Sequence, residues 1–360
     1  MKIFFVCDSR DYHTIDWCVT VRSIVIGHEV AIISDVIPEK NGDNELGIEI
    51  IPLINIARFI NGNSRWIDLL RNAIKLMVVP LQALKLRKIF KQNPNDVFHA
   101  HSMYYVFLCW MAGIRYIATP MGSDVLVRPF KSKTYKFFTR HSLKHAHIIT
   151  VDSVKLQKTI KTLCNRDSLV IQNGVDVPEI QSFNKMQNRT QITSIRGFYE
   201  LYQIEDILKA RNANNASNGI DFVYPYFEKD YLAKMLTLSI PSDRNLGRLT
   251  KEQLYDQLYK SKLVISIPYS DSSPRSVYEA IFCGCAVAVT NLEWIDDLPP
   301  CMVERLFKVD LQQADWFDKA LKFADLLKEK PYVPTQQAIS MYDQYTSMKN
   351  VCETVYKITT

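Results

Sequence analysis

No glycine stands between the first apolar run, Ile3 to Val6, and the helical pattern that begins near Ile15. A dinucleotide fingerprint needs glycines there so that backbone can approach a pyrophosphate, which argues against a dehydrogenase. No run of 18 apolar residues occurs, so no membrane-spanning helix is expected. Met1-Lys-Ile-Phe-Phe-Val6 is too short for a signal peptide and reads as a first strand. Internal repeats and low-complexity tracts are missing. The eight cysteines are scattered, several inside apolar runs (Cys7, Cys109, Cys283, Cys285), at spacings that suit neither a zinc ribbon nor a disulfide framework. Reduced thiols in a cytoplasmic chain are the expectation. A net charge of +6 over 360 residues permits contact with phosphates or anionic lipid, but no nucleic-acid partner is expected from it.

What is present is enough chain for two α/β domains. Ile3–Val6 and the run from His28 to Ser34 flank a helical pattern, Ile15 to Ile26, that stops at Gly27. Such a strand–helix–strand unit implies a parallel sheet. Asp8, Arg10 and His13 lie in the polar loop Cys7–His13, at the carboxyl end of the first strand, where open parallel sheets place ligands.

The most informative stretch is Val264 to Thr290. Val264–Pro268 reads as a buried strand, Asp271-Ser-Ser-Pro274 as a helix start, and Val277, Ala280 and Ile281 fall at helical spacing. Gly284 is the expected left-handed stop, and Cys285–Thr290 a further strand. The loop offers amides at a helix start and the hydroxyls of Ser272, Ser273 and Ser276, a setting that suits a phosphate. Glu279 falls opposite the apolar stripe, so it is expected to face solvent or a ligand, where a carboxylate could accept from a ribose diol. Asp271 could do the same for sugar hydroxyls. The ordinary alternative is a capping Asp or Ser and a surface Glu.

Asp271-x(7)-Glu279, followed by Glu279-Ala-Ile-Phe-Cys-Gly-Cys-Ala-Val-Ala288, resembles the acid-x(7)-acid donor motif of the retaining family-four glycosyltransferases. Asp stands for the family's first Glu, and Ala286 for its usual Pro. Further likenesses are Asp96-Val-Phe-His99-Ala-His101, Gly122-Ser-Asp124 and Asn173-Gly-Val-Asp176. Met121 stands where the family often has His, so Asp124 becomes the better catalytic candidate and His101 the second. Leu201 stands where a phosphate-binding Lys is usual, five residues after Arg196. A donor with less phosphate charge, such as a CMP-activated acidic sugar, is one answer to that loss.

The resemblance implies the GT-B fold: two Rossmann-like α/β domains facing each other across a cleft. The expected acceptor domain is 1–174, with the last helix 337–360 packing back on it. The expected donor domain is 175–336. The implied donor residues are Arg196, Gly197, Ser272, Ser273, Pro274, Arg275, Ser276 and Glu279, with Asp271 at the donor sugar. Asp8, Arg10 and His13 are the acceptor-side candidates. His99 and His101 share a strand face, but no third ligand is nearby, so no metal is expected. No cofactor is expected either, the nucleotide-sugar being a substrate. The implied activity is transfer of a sugar to a glycan or lipid-linked acceptor in bacterial surface polysaccharide synthesis, with retention. A nucleotide-sugar epimerase and a non-catalytic glycan-binding protein of the same fold are the rivals.

Two basic segments bear on partners. From Ile56 to Phe90, Arg58, Arg65, Arg71, Lys75, Lys85, Arg87 and Lys88 alternate with apolar residues, reading as a pair of helices or as a surface for an anionic membrane. Lys131 to Lys144 reads as a basic helix with a solvated face.

Overall fold

The computed structural model describes residues 1–36, 47–54, 65–183, 188–213 and 218–358, with only the backbone of 65–76. The chain divides into two compact units, Met1–Asn173 with Ser347–Thr360, and Gly174–Thr346.

The first unit is built on seven parallel strands: β1 Lys2–Val6, β2 Glu29–Ser34, β3 Glu49–Pro52, β4 Val97–His101, β5 Ile117–Thr119, β6 Ile148–Val151 and β7 Leu169–Val170. Their order is β3-β2-β1-β4-β5-β6-β7. The helices are α1 Tyr12–Ile24, α2 Arg65–Gln92, α3 Met103–Ala112, α4 Gly122–Leu126, α5 Arg128–Lys131, α6 Lys133–His145 and α7 Val154–Cys164. Both sheet faces are covered, which is why the central strands are apolar almost throughout. Val79 and Leu86 of α2, Val106 of α3, Leu143 of α6 and Leu156 of α7 pack in one core with Phe4, Val6 and Phe98. Trp17, Cys18 and Val21 of α1 pack in another with Ile3, Phe5 and Ile32, joined by Met348, Val351 and Cys352 near the C-terminus.

Two local expectations change here. Asp11 accepts from the Thr14 amide at 3.3 Å and caps α1, so His13 lies in a helical turn and not in the loop. In the segment expected as two helices, the described residues from Arg65 on lie in one, α2, with Pro80 inside it. Residues 56–64 and the side chains of 65–76, which include Arg58, Arg65, Arg71 and Lys75, lie outside the described residues.

The second unit has six parallel strands: β8 Gln191–Ser194, β9 Asp221–Val223, β10 Arg244–Gly247, β11 Ser261–Ser266, β12 Ala286–Thr290 and β13 Leu306–Val309. The order is β10-β9-β8-β11-β12-β13. Its helices are α8 Val177–Ser182, α9 Ile204–Ala213, α10 Lys229–Leu236, α11 Lys251–Lys260, α12 Arg275–Phe282, α13 Pro300–Val303, α14 Trp316–Leu327 and α15 Gln336–Tyr342; α16, Gln344–Thr354, leads back to the first unit. The polar stretch 178–188 would read as a linker from polarity alone, but its start belongs to α8, because Asp176 accepts from the Glu179 amide at 2.9 Å and Pro178 suits the first turn. The single last helix expected over 337–360 is two, α15 and α16. The Val175 amide donates to Tyr342 O, the Gln344 amide donates to Val175 O, and this bridge holds Asp343 extended. So α15 stays with the second unit.

In both sheets the strand order turns at the first and fourth strand of the unit, β1/β4 and β8/β11. At such a switch point the two flanking loops run in opposite directions and leave a crevice beyond the strands' carboxyl ends. The candidate residues are therefore to be sought after Val6, His101, Ser194 and Ser266.

Candidate functional site

Beyond β8 and β11 stand Arg196 and the loop that runs to Pro274. The Arg196 guanidinium donates from Nε to Ser266 Oγ at 2.7 Å and from Nη2 to Asp271 Oδ2 at 2.7 Å. It also lies over the Tyr202 ring, 5.4 Å from the centroid. β11, the loop and the turn after Tyr199 thus each contribute one contact that aims a single cation. Asp271 in turn accepts from the Ser272 amide at 2.8 Å. Gln203, at φ 53°, ties the turn to β11 through Ile267 O.

Gly197 follows the arginine. A Cβ there would stand 2.6 Å from Tyr226 O, a backbone atom that cannot swing aside, so the close approach requires glycine. Gly284, at φ 84°, ends the turn after α12, as its place after the helical pattern implies.

At the start of α12 the Arg275 amide donates to Ser273 O at 3.0 Å, and the Val277 and Tyr278 amides donate to Pro274 O. Among the described residues, the Ser276 amide has no bond to protein outside the helix. Ser273 Oγ lies 3.4 Å from the Tyr278 hydroxyl. One turn on, Arg275 Nε is 3.9 Å from Glu279 Oε1. That is an ion pair, too long for a hydrogen bond.

Of the two expectations for Glu279, a place in open solvent is corrected: the residue is only 7% exposed. Helix α12 packs against β11, β12 and also α8, and every residue of it but Ser276 is buried. Two cations, Arg196 and Arg275, are each matched by one carboxylate, Asp271 and Glu279. A phosphate entering here would compete for guanidinium groups that the protein already holds in place.

The first unit's candidates are less uniform. Asp8 holds Arg10 through Nη2–Oδ2 at 3.1 Å and Nε–Oδ1 at 3.2 Å, and this hydrogen bonding raises the arginine's pKa. His13 is exposed on the first turn of α1, and its carbonyl accepts from Asn173 Nδ2 at 3.3 Å. Asp8, Arg10 and His13 thus remain near the carboxyl end of β1.

Asp124 has structural work. It is buried, and its Oδ2 accepts from the Met103 amide at 2.9 Å, capping α3. Its Oδ1 accepts from the Tyr135 hydroxyl at 3.2 Å and pairs with Arg128 Nη1 at 3.0 Å. His101 is also buried, its ring 5.1 Å from Trp17 and 4.3 Å from His99. Burial pushes its pKa down to about 3, so it is neutral near pH 7. His99 is lowered further below its ordinary range by burial and then by His101; its Nδ1 lies 2.7 Å from the Tyr356 hydroxyl and its Nε2 2.6 Å from Thr119 Oγ1. Neither Asp124 nor His101 presents a charged group to open space.

Sequence reasoning missed Ser266 and Tyr202, which position Arg196, and Ser102, which turns the chain after β4 with φ 68°. A serine in the left-handed region is strained, and such strain gathers at functional turns. No pattern in the residue order announces it. Among the described residues no group of three or more His, Cys, Asp or Glu could hold a metal ion. Nor is any helix there long and apolar enough to cross a membrane.

Comparison with known proteins bears on the family and the fold. Residues 2–153 match the family described as glycosyl transferase 4-like. TuaC of Bacillus subtilis (strain 168), named as a glycosyltransferase of teichuronic acid biosynthesis, is 24% identical over 264 residues. The match covers 67% of this chain and 63% of that relative. HepE of Anabaena, solved in complex with UDP and glucose, superposes with a TM-score of 0.73 at 12% identity, covering 99% of this chain and all of that one. A glycosyltransferase from Rickettsia africae superposes with 0.71 at 13% identity, over 99% and 97% of the two chains. The two parallel-sheet units have the GT-B fold of these structures.

Proposed function

From a chain that is glycosyl transferase 4-like in its first unit and GT-B in fold, we propose a glycosyltransferase whose nucleotide-sugar donor lies at the carboxyl ends of β8 and β11. The observation that carries this reading is Arg196, aimed by Ser266, Asp271 and Tyr202 at the switch point of a nucleotide-binding topology. Arg196 would bind the donor phosphate, with Arg275 supplying the charge that Leu201 does not. The Ser273–Ser276 end of α12 would face the same phosphate. Glu279 would accept from the ribose hydroxyls, and Asp271 would face the donor sugar.

Breaking the glycosidic bond leaves negative charge on the nucleotide phosphate. Arginines already oriented there stabilise it without reorganisation in the transition state. The departing phosphate can take the acceptor's proton from the same face, which needs no protein nucleophile and retains the anomeric configuration. No metal or cofactor enters this scheme. The UDP and glucose bound by HepE support a uridine nucleotide as donor. TuaC's assignment supports an acceptor in bacterial surface polysaccharide synthesis, a glycan or a lipid-linked one, met at the cytoplasmic side of the membrane. Asp8, Arg10 and His13 are the acceptor-side residues. Asp124 and His101 would act only by holding the first unit's loops.

Calorimetry with UDP, GDP and CMP tests the donor site. UDP should bind, and Glu279→Ala should weaken it tenfold or more; undiminished affinity removes this site from the reading. A preference for CMP would favour the acidic-sugar donor. Nucleotide release from UDP-sugars should depend on an acceptor. Sugar interconversion with no acceptor present would instead establish an epimerase.

A further inference from the structure

The charge of this chain is not spread evenly. Residues 131–166 contain nine Lys and Arg and one Asp, a net +8, so the rest of the chain sums to −2. The whole excess of the protein therefore lies on α6, α7 and the turns beside them. There Phe130, Lys136, Arg140, Lys158, Thr159, Thr162 and Leu163 line a pocket of about 360 Å³. No carboxylate is among them. Lys161 pairs with Asp167, but no ion pair among the described residues involves Lys136, Arg140 or Lys158. The threonine hydroxyls donate back into α7, Thr159 to Lys155 O and Thr162 to Lys158 O. The donors available to an anion are thus the three cations.

The surface around the pocket is apolar. Phe130 is 64% and Phe137 52% exposed, and Phe138 is exposed beside them. Phe138 meets Phe107 edge-on at 4.9 Å, and Trp110 stands 6.5 Å from it, which continues the aromatic surface onto α3. On α2, in the same helix layer, Met77, Leu81 and Leu84 form an exposed stripe at helical spacing, with Arg87, Lys88 and Lys91 exposed below it. Exposed rings and aliphatic side chains amid unpaired cations are unfavourable in water. They match the two layers of a lipid interface, acyl boundary and phosphate.

We propose that the outer face of α5, α6 and α7 docks on an anionic bilayer, with a lipid phosphate held in the pocket by Lys136, Arg140 and Lys158. Phe130 and Phe137 enter the interface beside that headgroup. The inference extends the lipid-linked acceptor reading, but its test needs no turnover, so either can fail alone.

The test is co-sedimentation of the full chain with vesicles of phosphatidylglycerol and phosphatidylcholine, against phosphatidylcholine alone. The wild-type protein should bind the anionic vesicles and lose them as salt is raised. Lys136→Glu with Arg140→Glu and Lys158→Glu should reduce binding at least tenfold, and Phe130→Ser with Phe137→Ser should reduce it several-fold. All five side chains are exposed, and thermal unfolding checks that each variant folds. Lys308→Glu with Lys319→Glu and Lys322→Glu makes the same change of net charge in the second unit and should leave binding in place. Equal loss in that control overturns the proposal, since net charge alone would then explain binding. Failure of the wild-type protein to bind overturns it too, as does saturation by glycerol phosphate or an RNA oligonucleotide when vesicles are ignored.

Discussion

The two units turn their strand order at equivalent places, yet the carboxyl ends of their central strands hold opposite chemistry. Behind β4, His99 and His101 lie neutral among Phe5, Trp17 and Tyr356. Behind β8 and β11, two arginines face two carboxylates. One topology provides the same address in each unit; the residues at the address decide what can bind there. An aromatic cage that expels charge stiffens loops. An ionic cluster offers guanidinium groups for which an entering phosphate would compete.

The largest expected effect in the second unit lies at the other end of its sheet, just before the amino ends of β9 and β10. The side chains of Arg211 and Asp243 are buried, with Nη1–Oδ1 at 2.6 Å and Nη2–Oδ2 at 2.9 Å. Arg211→Ala strands a carboxylate that also accepts from the Ile220 and Ile240 amides. It should cost about 3–5 kcal/mol in urea denaturation. A loss below about 1 kcal/mol would mean that the pair is not desolvated.

At the site itself, Arg196→Ala should lower the rate of donor cleavage by about 10²–10³, as loss of one preorganised donor does. Arg196→Lys should recover only part, because an ammonium cannot reach Ser266 and Asp271 in a fork. Full activity in Arg196→Ala would place the phosphate elsewhere. Gly197→Ala should cost about 1–3 kcal/mol in thermal unfolding by forcing backbone from Tyr226. It should also weaken nucleotide binding, since Arg196 moves with it; unchanged melting would contradict the close approach.

The histidine cage responds to pH instead. Between about pH 6.5 and 3 the unfolded chain binds the His101 proton and the folded chain does not. The folded pKa is lowered, so stability falls as pH drops through that window, by about 1.4 kcal/mol per pH unit for one group. Urea titrations from pH 7.5 to 4.5 should show this slope, and His101→Phe should reduce it by one proton. The same slope in the variant would mean that His101 is protonated in the fold.

Much of this was legible in the residue order. The apolar runs, the helical pattern closed by Gly284 and the Asn173–Asp176 turn identified two parallel α/β units and the acid-x(7)-acid loop. The Asp176 cap with Pro178 and Glu179 was equally legible as a helix start, but reads as linker when only polarity is weighed. That omission hid α8 and its packing on α12. The solvated reading of Lys131–Lys144 treated one helix alone. Only its packing beside α7 joins Lys158 to Lys136 and Arg140 around one pocket.

Periodicity is a property of one element, and so the sequence by itself determined where strands, helices and turns fall and which side of each is apolar. Burial, ion pairing and the pKa of a histidine depend on which other elements cover that side. The tertiary structure alone decided that Glu279 is enclosed, that Asp124 caps α3 and that Arg196 meets Asp271, since each contact joins segments held together only by sheet order.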